Sequence, residues 1–266
     1  MQKIMQKMQT LVVVFLTLLA GCATISNNPE DPFEDWNRGV QSFNEKFDQY
    51  AMKPVAKGYE WVTPDFADQG VSNFFSNLND IGVTINDLLQ FKLAQTVMDG
   101  SRFLLNTTAG LGGFVDLASM VDMPKHHEDF DQTLGVWGIP TGPYIVLPLL
   151  GPSSPRGMTG LIGDAAANPA TYVGFGVFPG LDSAVETGIS SGMYALNAID
   201  NRADNLALEK AVSEAASLDR YEFIKNAYFQ RRTFLVNDGN VPEDGADLDL
   251  VNPENGSLAP LDPHPR

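Results

Sequence analysis

The stretch DPFEDWNRGVQSFNEKFDQY, residues 31–50, predicts an amphipathic α-helix. Asp31 stands where an N-cap belongs, Pro32 at the first helical position, and Glu34 three residues after the cap. The apolar residues that follow are spaced three and four positions apart, so they share one helical stripe: Phe33, Trp36, Val40, Phe43, Phe47 and Tyr50. This stripe is either a core-facing surface or an aromatic surface that lies against lipid.

Helical periodicity continues over the rest of the chain. It predicts further helices at about residues 65–77, 79–93, 95–107 and 206–235. No segment alternates well enough to predict a sheet larger than one hairpin. The fold class is therefore predicted to be mainly α, in a single domain of about 200 ordered residues, a length that supports one core.

The N-terminal residues predict export and lipidation. Lys3 and Lys7 precede an apolar run that ends in Leu-Ala-Gly-Cys, which resembles a bacterial lipobox. We therefore predict a lipoprotein signal peptide at residues 1–21 and lipidation at Cys22, which is the single cysteine of the chain. The next residue is Ala23 rather than aspartate, and lipoprotein sorting rules then indicate the outer membrane.

Charge limits the range of partners. The formal net charge is −16, which argues against nucleic acid as a partner and against attraction to anionic membrane surfaces. Membrane attachment is therefore expected to come from acyl chains and apolar surface. Residues 237–266 hold seven acidic residues, five prolines and no aromatic residue, so we predict a disordered acidic tail. That tail either solvates the protein or tethers a basic partner.

The centre of the chain is poor in charge. Residues 132–181 contain two charged side chains, Arg156 and Asp164, together with ten of the 24 glycines and seven of the 17 prolines. So many helix breakers argue against a membrane-spanning helix. We predict short helices and a turn or hairpin that form apolar surface or line a cavity.

Motifs for catalysis and for metal binding are weak. Ser190 lies in a literal G-x-S-x-G, but the segment before it reads as helix rather than the required strand. The His126-His127-Glu128-Asp129 run lacks a spaced third ligand and is expected to be a solvated loop. The glycines of residues 109–114 are expected to end a helix and to allow close packing. We predict no catalytic residue, no metal and no cofactor.

Several motifs together resemble the MlaA/VacJ family of outer-membrane lipoproteins, over about residues 22–235. They are Asp31-Pro32-Phe33-Glu34, Trp36-Asn37-Arg38 and Phe43-Asn44; Arg102-Phe103, Asn106-Thr107, Gly110, Gly112-Gly113-Phe114 and Asp116; Asp129-Phe130, Gln132-Thr133-Leu134-Gly135 and Trp137-Gly138; Gly142-Pro143-Tyr144, Leu147-Pro148, Gly151-Pro152 and Arg156; and Tyr228-Phe229-Gln230-Arg231-Arg232.

The resemblance implies a helical, membrane-associated domain at residues 22–236, shaped as a ring of short amphipathic helices around a central channel. It would lie in the inner leaflet of the outer membrane, facing the periplasm, beside a trimeric porin. Phospholipid that is mislocalised in the outer leaflet would pass through the channel to a periplasmic carrier like MlaC, and lipid asymmetry would be maintained. Two alternatives remain: a non-catalytic lipoprotein that scaffolds porins, and a phospholipid hydrolase.

Two groups of site residues follow from these arguments. The channel or loop group comprises Gly142, Pro143, Tyr144, Leu147, Pro148, Gly151, Pro152 and Arg156. Arg156 is expected either to contact lipid phosphate or to hold the loop through a carboxylate. The membrane-facing group on the N-terminal helix comprises Phe33, Trp36, Phe43, Asn44 and Phe47.

Overall fold

The computed structural model describes residues 31–172, 183–206 and 219–240. The predicted signal peptide, Cys22 and nearly all of the predicted tail lie outside the described residues. In chain order the elements are α1 (Glu34–Phe47), a π-helical turn (Asp48–Met52), α2 (Lys53–Val62), α3 (Asp65–Leu89), α4 (Leu93–Thr108), α5 (Leu117–Met120), α6 (Phe130–Val136), β1 (Ile145–Leu147), β2 (Gly151–Ser153), α7 (Pro155–Ala167), a 3-10 helix (Pro169–Tyr172), α8 (Ser183–Asp204) and α9 (Arg220–Val236). The mainly α prediction is confirmed.

The start of α1 differs from the prediction. The helix begins at Glu34 with Phe33 at the N-cap position, and no side chain caps it. Asp31 is buried, and its carboxylate accepts hydrogen bonds from the Tyr221 hydroxyl and from Lys225 Nζ at 3.2 Å. The Asp31 cap is therefore wrong, because this carboxylate ties α1 to α9.

Two predicted helix boundaries are also wrong. The helices predicted at 65–77 and 79–93 form one helix, α3, of 25 residues. Asn77, at the predicted end of the first of these helices, lies within α3, donates its amide to Thr107 Oγ1 at 2.9 Å and joins α3 to α4. The helix predicted at 206–235 is interrupted at Asp219, whose extended backbone and carboxylate cap α9.

The segment from α1 to α2 is helical throughout, with the π-helical turn at its centre. Pro54 follows that turn, at the second position of α2. A proline lacks the N–H of a regular helix, and its ring clashes with the carbonyl four residues earlier. The wider π turn accommodates this clash without ending the helix.

The central window contains the predicted hairpin and short helices. Strands β1 and β2 pair antiparallel, with Ile145 opposite Ser153 and Leu147 opposite Gly151. Leu149 and Gly151 adopt positive φ angles of 65° and 81° in and after the turn. Helix α7 then begins at Pro155, and Ser154 Oγ caps it by accepting the Gly157 N–H at 3.0 Å.

The glycines at 109–114 end α4, as predicted. Gly113 has a φ of +98°, and a Cβ on it would lie 2.6 Å from Asn77 Nδ2. The left-handed backbone and the close approach of α3 both require glycine at this position.

The apolar core is small and lies beside the hairpin. Its buried members are Val40, Tyr144, Val146 and Tyr221, and Trp36, Tyr228 and Phe229 pack against them. The Tyr144 ring lies 5.8 Å from the ring centroids of both Tyr221 and Tyr228. This aromatic cluster joins α1, the hairpin and α9.

Elsewhere the usual distribution of side chains is inverted. Most of the largest fully buried side chains are polar or charged, among them Asn37, Asp80, Asn86, Asp87, Asp99 and Arg102. Many large apolar side chains are instead exposed, including Trp61 at 87%, Phe66 at 80% and Phe91 at 85%. Surfaces of this kind mark sites of protein or membrane interaction. Within the described ranges, no helix has the length and apolar character needed to cross a membrane.

Candidate functional site

Two adjoining cavities lie among the described residues, and we call them the double cavity. The first chamber measures about 440 Å³ and the second about 540 Å³. Both chambers are bordered by Leu78, Asn79, His127, Asn168 and Tyr194. Because these five residues are shared, the two chambers are neighbours and have a common wall.

The first chamber lies between α3 and α8 and has an acidic side. Asp200 accepts hydrogen bonds from Tyr59 Oη and Ser72 Oγ, each at 3.0 Å, while Asp204 lies one turn further along α8. Burial raises the pKa of Asp200, although its two hydroxyl partners act against this shift. Phe75 and Met193 supply apolar surface in the same chamber.

The second chamber lies between α3, α7 and α9 and has a basic side. Arg231 and Arg232 both line it, and Leu161 and Leu235 add apolar surface. Arg232 pairs with Asp129 and with Asp131, the latter at 3.3 Å between Nε and Oδ2. The described part of the chain provides no ion pair for Arg231.

The loop before α6 contributes to both chambers. His127 borders each of them, and Lys125 lines the first. Desolvation and the positive charge of Lys125 lower the pKa of His127, so its imidazole is neutral at pH 7. Lys125 Nζ is held by Ser76 and by the buried Asp80 carboxylate. The double cavity therefore combines fixed charges, neutral hydrogen-bonding groups and apolar surface.

A family model described as MlaA lipoprotein matches residues 29–235. The chain belongs to this family. The MlaA lipoprotein family was the one that the sequence motifs resembled, and that prediction is confirmed.

Relatives and a solved structure agree with membership in the MlaA family. The intermembrane phospholipid transport system lipoprotein MlaA of Escherichia coli (strain K12) is 34% identical over 232 residues, which cover 85% of this chain and 87% of that protein. The protein of the same name from Haemophilus influenzae is 32% identical over 247 residues, which cover 89% and 94%. A solved structure described as the structural basis for maintenance of bacterial outer membrane lipid asymmetry matches with a TM-score of 0.66 and 31% identity, over 78% of this chain and 99% of that chain.

Arg156, which the sequence placed in the MlaA-family loop motif, holds that loop through a carboxylate. It is buried; its Nε donates to Asp131 Oδ1 at 2.6 Å, and Nη1 donates to the Ile139 carbonyl at 3.1 Å. Direct contact with lipid phosphate, the other alternative, does not fit a guanidinium that is already paired and buried. Tyr144 is likewise in the aromatic core rather than at a channel surface.

The remaining members of the channel or loop group lie in or beside the hairpin, away from the double cavity. Tyr144, Gly151 and Pro152 line a separate cavity of about 220 Å³, together with Asn44 of α1. The other members are outside the linings of both chambers: Gly142, Pro143, Leu147, Pro148 and Arg156. The sequence therefore located the hairpin but not the double cavity.

The N-terminal helix divides its predicted membrane-facing residues between two environments. Trp36 Nε1 donates to the Val146 carbonyl at 3.2 Å, and Asn44 donates to the Leu147 carbonyl at 2.9 Å. These two side chains hold the hairpin, so their place in the membrane-facing group is corrected. Phe43 and Phe47 are exposed and Phe33 is half-buried, so the contact of these three residues with lipid stays a prediction.

The role of residues 126–129 was missed at the level of the sequence. The loop was expected to be solvated, but His126 Nδ1 lies 2.8 Å from Asp99 Oδ2, and the buried Glu128 accepts from Lys92 at 2.7 Å. Four polar residues in succession between two helices could have indicated a loop held by polar contacts. We interpreted them only as a poor metal motif. Arg231 was quoted in a family motif without a role.

Ser190 does not stand in a nucleophile elbow. It lies within α8, and its hydroxyl donates to the Ala170 carbonyl at 3.4 Å. An elbow requires a sharp turn between a strand and a helix, so Ser190 lacks the backbone geometry that the hydrolase alternative needs. The relatives in the MlaA family are named as transport-system lipoproteins rather than as enzymes.

Behind the double cavity, two buried carboxyl groups face each other. Asp87 of α3 and Asp99 of α4 are both fully buried, and neither Asp87 oxygen has a geometrically defined hydrogen bond. Burial, followed by the contact with Asp99, raises the pKa of Asp87 to about 7, and Glu128 adds to this effect while Lys92 opposes it. Asp87 therefore retains its proton when folded at pH values where the unfolded chain has released it.

We expect Asp87→Asn to change how stability depends on pH. In the wild type, the raised pKa lowers the free energy of unfolding as pH rises from about 4 to about 7, because the folded state then binds more protons than the unfolded state. The asparagine removes this contribution and donates to Asp99, so the variant gains stability relative to wild type at pH 8 but not at pH 4. Thermal unfolding in detergent between pH 4 and pH 8 measures this, with the exposed Asp65→Asn as control. Parallel pH curves for wild type and Asp87→Asn would contradict the prediction.

Proposed function

We propose that this chain maintains outer-membrane lipid asymmetry by letting phospholipids that are mislocalised in the outer leaflet pass through it toward the periplasm. The names of its relatives support the coarse role, since they are lipoproteins of an intermembrane phospholipid transport system. The description of the similar solved structure refers to maintenance of lipid asymmetry. The passive mechanism and the path through the chain are part of what we propose.

The observation that carries the proposal is the inverted distribution of polar and apolar side chains. Exposed apolar surface in water is unfavourable by roughly 25 cal/mol per Å² relative to burial. Lipid tails remove this penalty, and the exposed residues occur on several elements, including Trp61 on α2, Phe66 on α3 and Val97 on α4. A polar interior surrounded by apolar surface is the arrangement that suits a hydrophilic path within a membrane.

The double cavity is the part of the path that we assign to the headgroup. Moving a charged headgroup through hydrocarbon without polar partners is strongly unfavourable. The arginine and carboxylate groups of the two chambers supply such partners, and the apolar side chains beside them suit the acyl chains. The ring-like arrangement predicted from the sequence remains part of this proposal.

The proposed setting follows from the sequence. Lipidation at Cys22 would anchor the chain in the inner leaflet of the outer membrane, because several acyl chains together hold a protein there essentially permanently. A trimeric porin beside it and a periplasmic carrier like MlaC complete the proposed route. No cofactor is required for a passive route.

A block at the junction of the two chambers tests the path. Asn79 is exposed and borders both chambers, so we expect Asn79→Trp to obstruct the junction without disturbing the core. Complementation of a deletion strain is measured by chemical labelling of amine headgroups at the cell surface, with protein levels checked by immunoblot. Wild type should restore low labelling, whereas Asn79→Trp and Cys22→Ala should leave it as high as in the deletion.

Gln69→Trp is the matched control, because Gln69 is exposed on the same helix and lies outside both chambers. It should complement like wild type. If Asn79→Trp complements fully, the double cavity is not the path. If the deletion leaves surface labelling unchanged but alters porin assembly, the scaffold alternative replaces the proposal.

A further inference from the structure

The two chambers of the double cavity carry uncompensated charges of opposite sign. In the first chamber the described residues give Asp204 no ion pair, and Asp200 has only the hydroxyl groups of Tyr59 and Ser72 as hydrogen-bond partners. The other charged group there, Lys125, is engaged with Asp80. Asp204 is exposed; partial desolvation, followed by the neighbouring carboxylates Asp200 and Asp68, raises its pKa.

In the second chamber, Arg231 is a cation without an ion pair among the described residues. Its neighbour Arg232 is neutralised by Asp129 and Asp131. Of the carboxylates that line this chamber, Glu128 is paired with Lys92 and Asp129 with Arg232, while Asp164 has no ion pair among the described residues and accepts the backbone N–H of Phe130 at 2.8 Å. Arg231 is thus left available for a ligand. A guanidinium suits phosphate oxygens, with which it forms charge-assisted hydrogen bonds in a planar, bidentate geometry.

The surface between these charges is neutral. Asn79, His127, Asn168 and Tyr194 border both chambers and provide hydrogen-bonding groups, while Leu78 provides apolar surface. An ion with one negative and one positive group could therefore span the junction and meet a complementary charge on each side. An ion with only negative groups would meet the carboxylates without compensation, in a chain whose net charge is already −16.

We propose that the double cavity is a headgroup-binding site that prefers zwitterionic phospholipids, with the phosphate at Arg231 and the ammonium group at Asp204 and Asp200. This inference rests on the proposed function, because it assumes that phospholipid enters the double cavity. It adds a substrate class: phospholipids with an ethanolamine-type headgroup are bound in preference to anionic ones such as phosphatidylglycerol. Phosphate contact, which was one of the two alternatives for Arg156, is assigned to Arg231 instead.

Binding of two lipids that share their acyl chains tests the preference. Full-length protein in detergent micelles is titrated with phosphatidylethanolamine and with phosphatidylglycerol, and the two dissociation constants are compared. We expect wild type to bind the zwitterionic lipid about tenfold more tightly, which corresponds to one favourable charge contact. Asp204→Asn should move this ratio toward one, whereas Arg231→Gln should weaken the binding of both lipids.

Each control variant removes one charge of the same sign at a residue outside the double cavity. Glu60→Gln and Arg220→Gln alter exposed residues outside both chambers and should leave both dissociation constants unchanged. Equal affinities of wild type for the two lipids, or a ratio that Asp204→Asn does not change, would overturn the proposal. So would unchanged affinity in Arg231→Gln, provided that its unfolding temperature matches that of wild type.

A soluble headgroup distinguishes the lipid from a free ligand of the same chemistry. Glycerophosphoethanolamine carries the phosphate and ammonium groups but no acyl chains, and we expect it to bind far more weakly than the lipid. Equal binding would reassign the site to a soluble zwitterion. Failure of the proposed function has a separate readout. If Asn79→Trp complements fully in cells, the double cavity is not the path. If the path is intact but wild type shows no headgroup preference, only this inference is wrong.

Discussion

Arg102→Ala is expected to lower the free energy of unfolding by about 3–5 kcal/mol, the range typical when one partner is removed from a buried ion pair. Arg102 is 1% exposed, and its Nη2 lies 3.1 Å from Asp116 Oδ2. Its Nε lies 4.0 Å from Asp80 Oδ2, a buried oxygen without a hydrogen bond. The alanine leaves these carboxylates without their shared guanidinium, and total stabilities of roughly 5–15 kcal/mol leave little margin for such a loss.

Chemical unfolding in detergent measures this effect, and Arg38→Ala is its control. Arg38 pairs with Glu34 at 2.8 Å and with Asp219 at 3.0 Å, but its side chain is 41% exposed, so the expected loss is at most about 1 kcal/mol. Arg102→Lys keeps the charge without the planar fork and should give an intermediate loss. A loss in Arg102→Ala no larger than that in Arg38→Ala would show that the buried network contributes little to stability.

Asn37→Ala is expected to release the hairpin from α1, at an expected cost in stability of about 2–4 kcal/mol, since buried backbone groups lose their partners. The Asn37 amide donates to the Tyr144 carbonyl at 3.0 Å and accepts the Val146 N–H at 2.8 Å. Asn44 repeats this pattern two turns later, with the Leu147 carbonyl at 2.9 Å and the Leu149 N–H at 2.7 Å. The two asparagine amides thus pair with backbone groups along β1 that would otherwise need a neighbouring strand.

Amide hydrogen exchange at Val146 gives a local measurement. In Asn37→Ala this amide should exchange at least about tenfold faster than in wild type, a change that corresponds to about 1.4 kcal/mol of local opening. Asn44→Ala should have a smaller effect on stability, because Leu149 is exposed and water can replace the lost partner. Asn201→Ala, which removes an exposed amide from α8, is the neutral control. Unchanged exchange at Val146 in Asn37→Ala would mean that the aromatic core alone holds the hairpin.

The asparagine contacts with the hairpin and the buried ion pairs of Arg102 could not be predicted from the sequence. The motif Trp36-Asn37-Arg38 was visible, but the contact of Asn37 with Tyr144 spans 107 positions and no local pattern reports it. Likewise, the buried Asp80 comes from α3 and the buried Asp99 and Arg102 come from α4, and each looks like an ordinary polar residue of an amphipathic helix. Their burial depends on how α3 and α4 pack together.

The double cavity illustrates the same limit. Its walls come from α3, the loop before α6, α7, α8 and α9, so residues from 72 to 235 must converge before it exists. The charge-poor window directed attention to the hairpin and to Arg156, since low charge is a local property. Arg231 and Asp204 belong to segments with many charged residues. That they line adjoining chambers depends on the packing of their helices, which the sequence does not show.

The sequence by itself determined the mainly α class, the hairpin within the charge-poor window, the glycine-dependent end of α4 and the family. These features depend on spacing, on backbone preferences and on motifs, which are properties of neighbouring residues. Only the tertiary structure decided which face of each helix points inward. Helical periodicity separates an apolar face from a polar face, but it carries no information about what each face will contact. In this chain many polar faces meet in the interior while large apolar side chains remain outside, because buried ion pairs and hydrogen bonds join residues that lie far apart in the sequence.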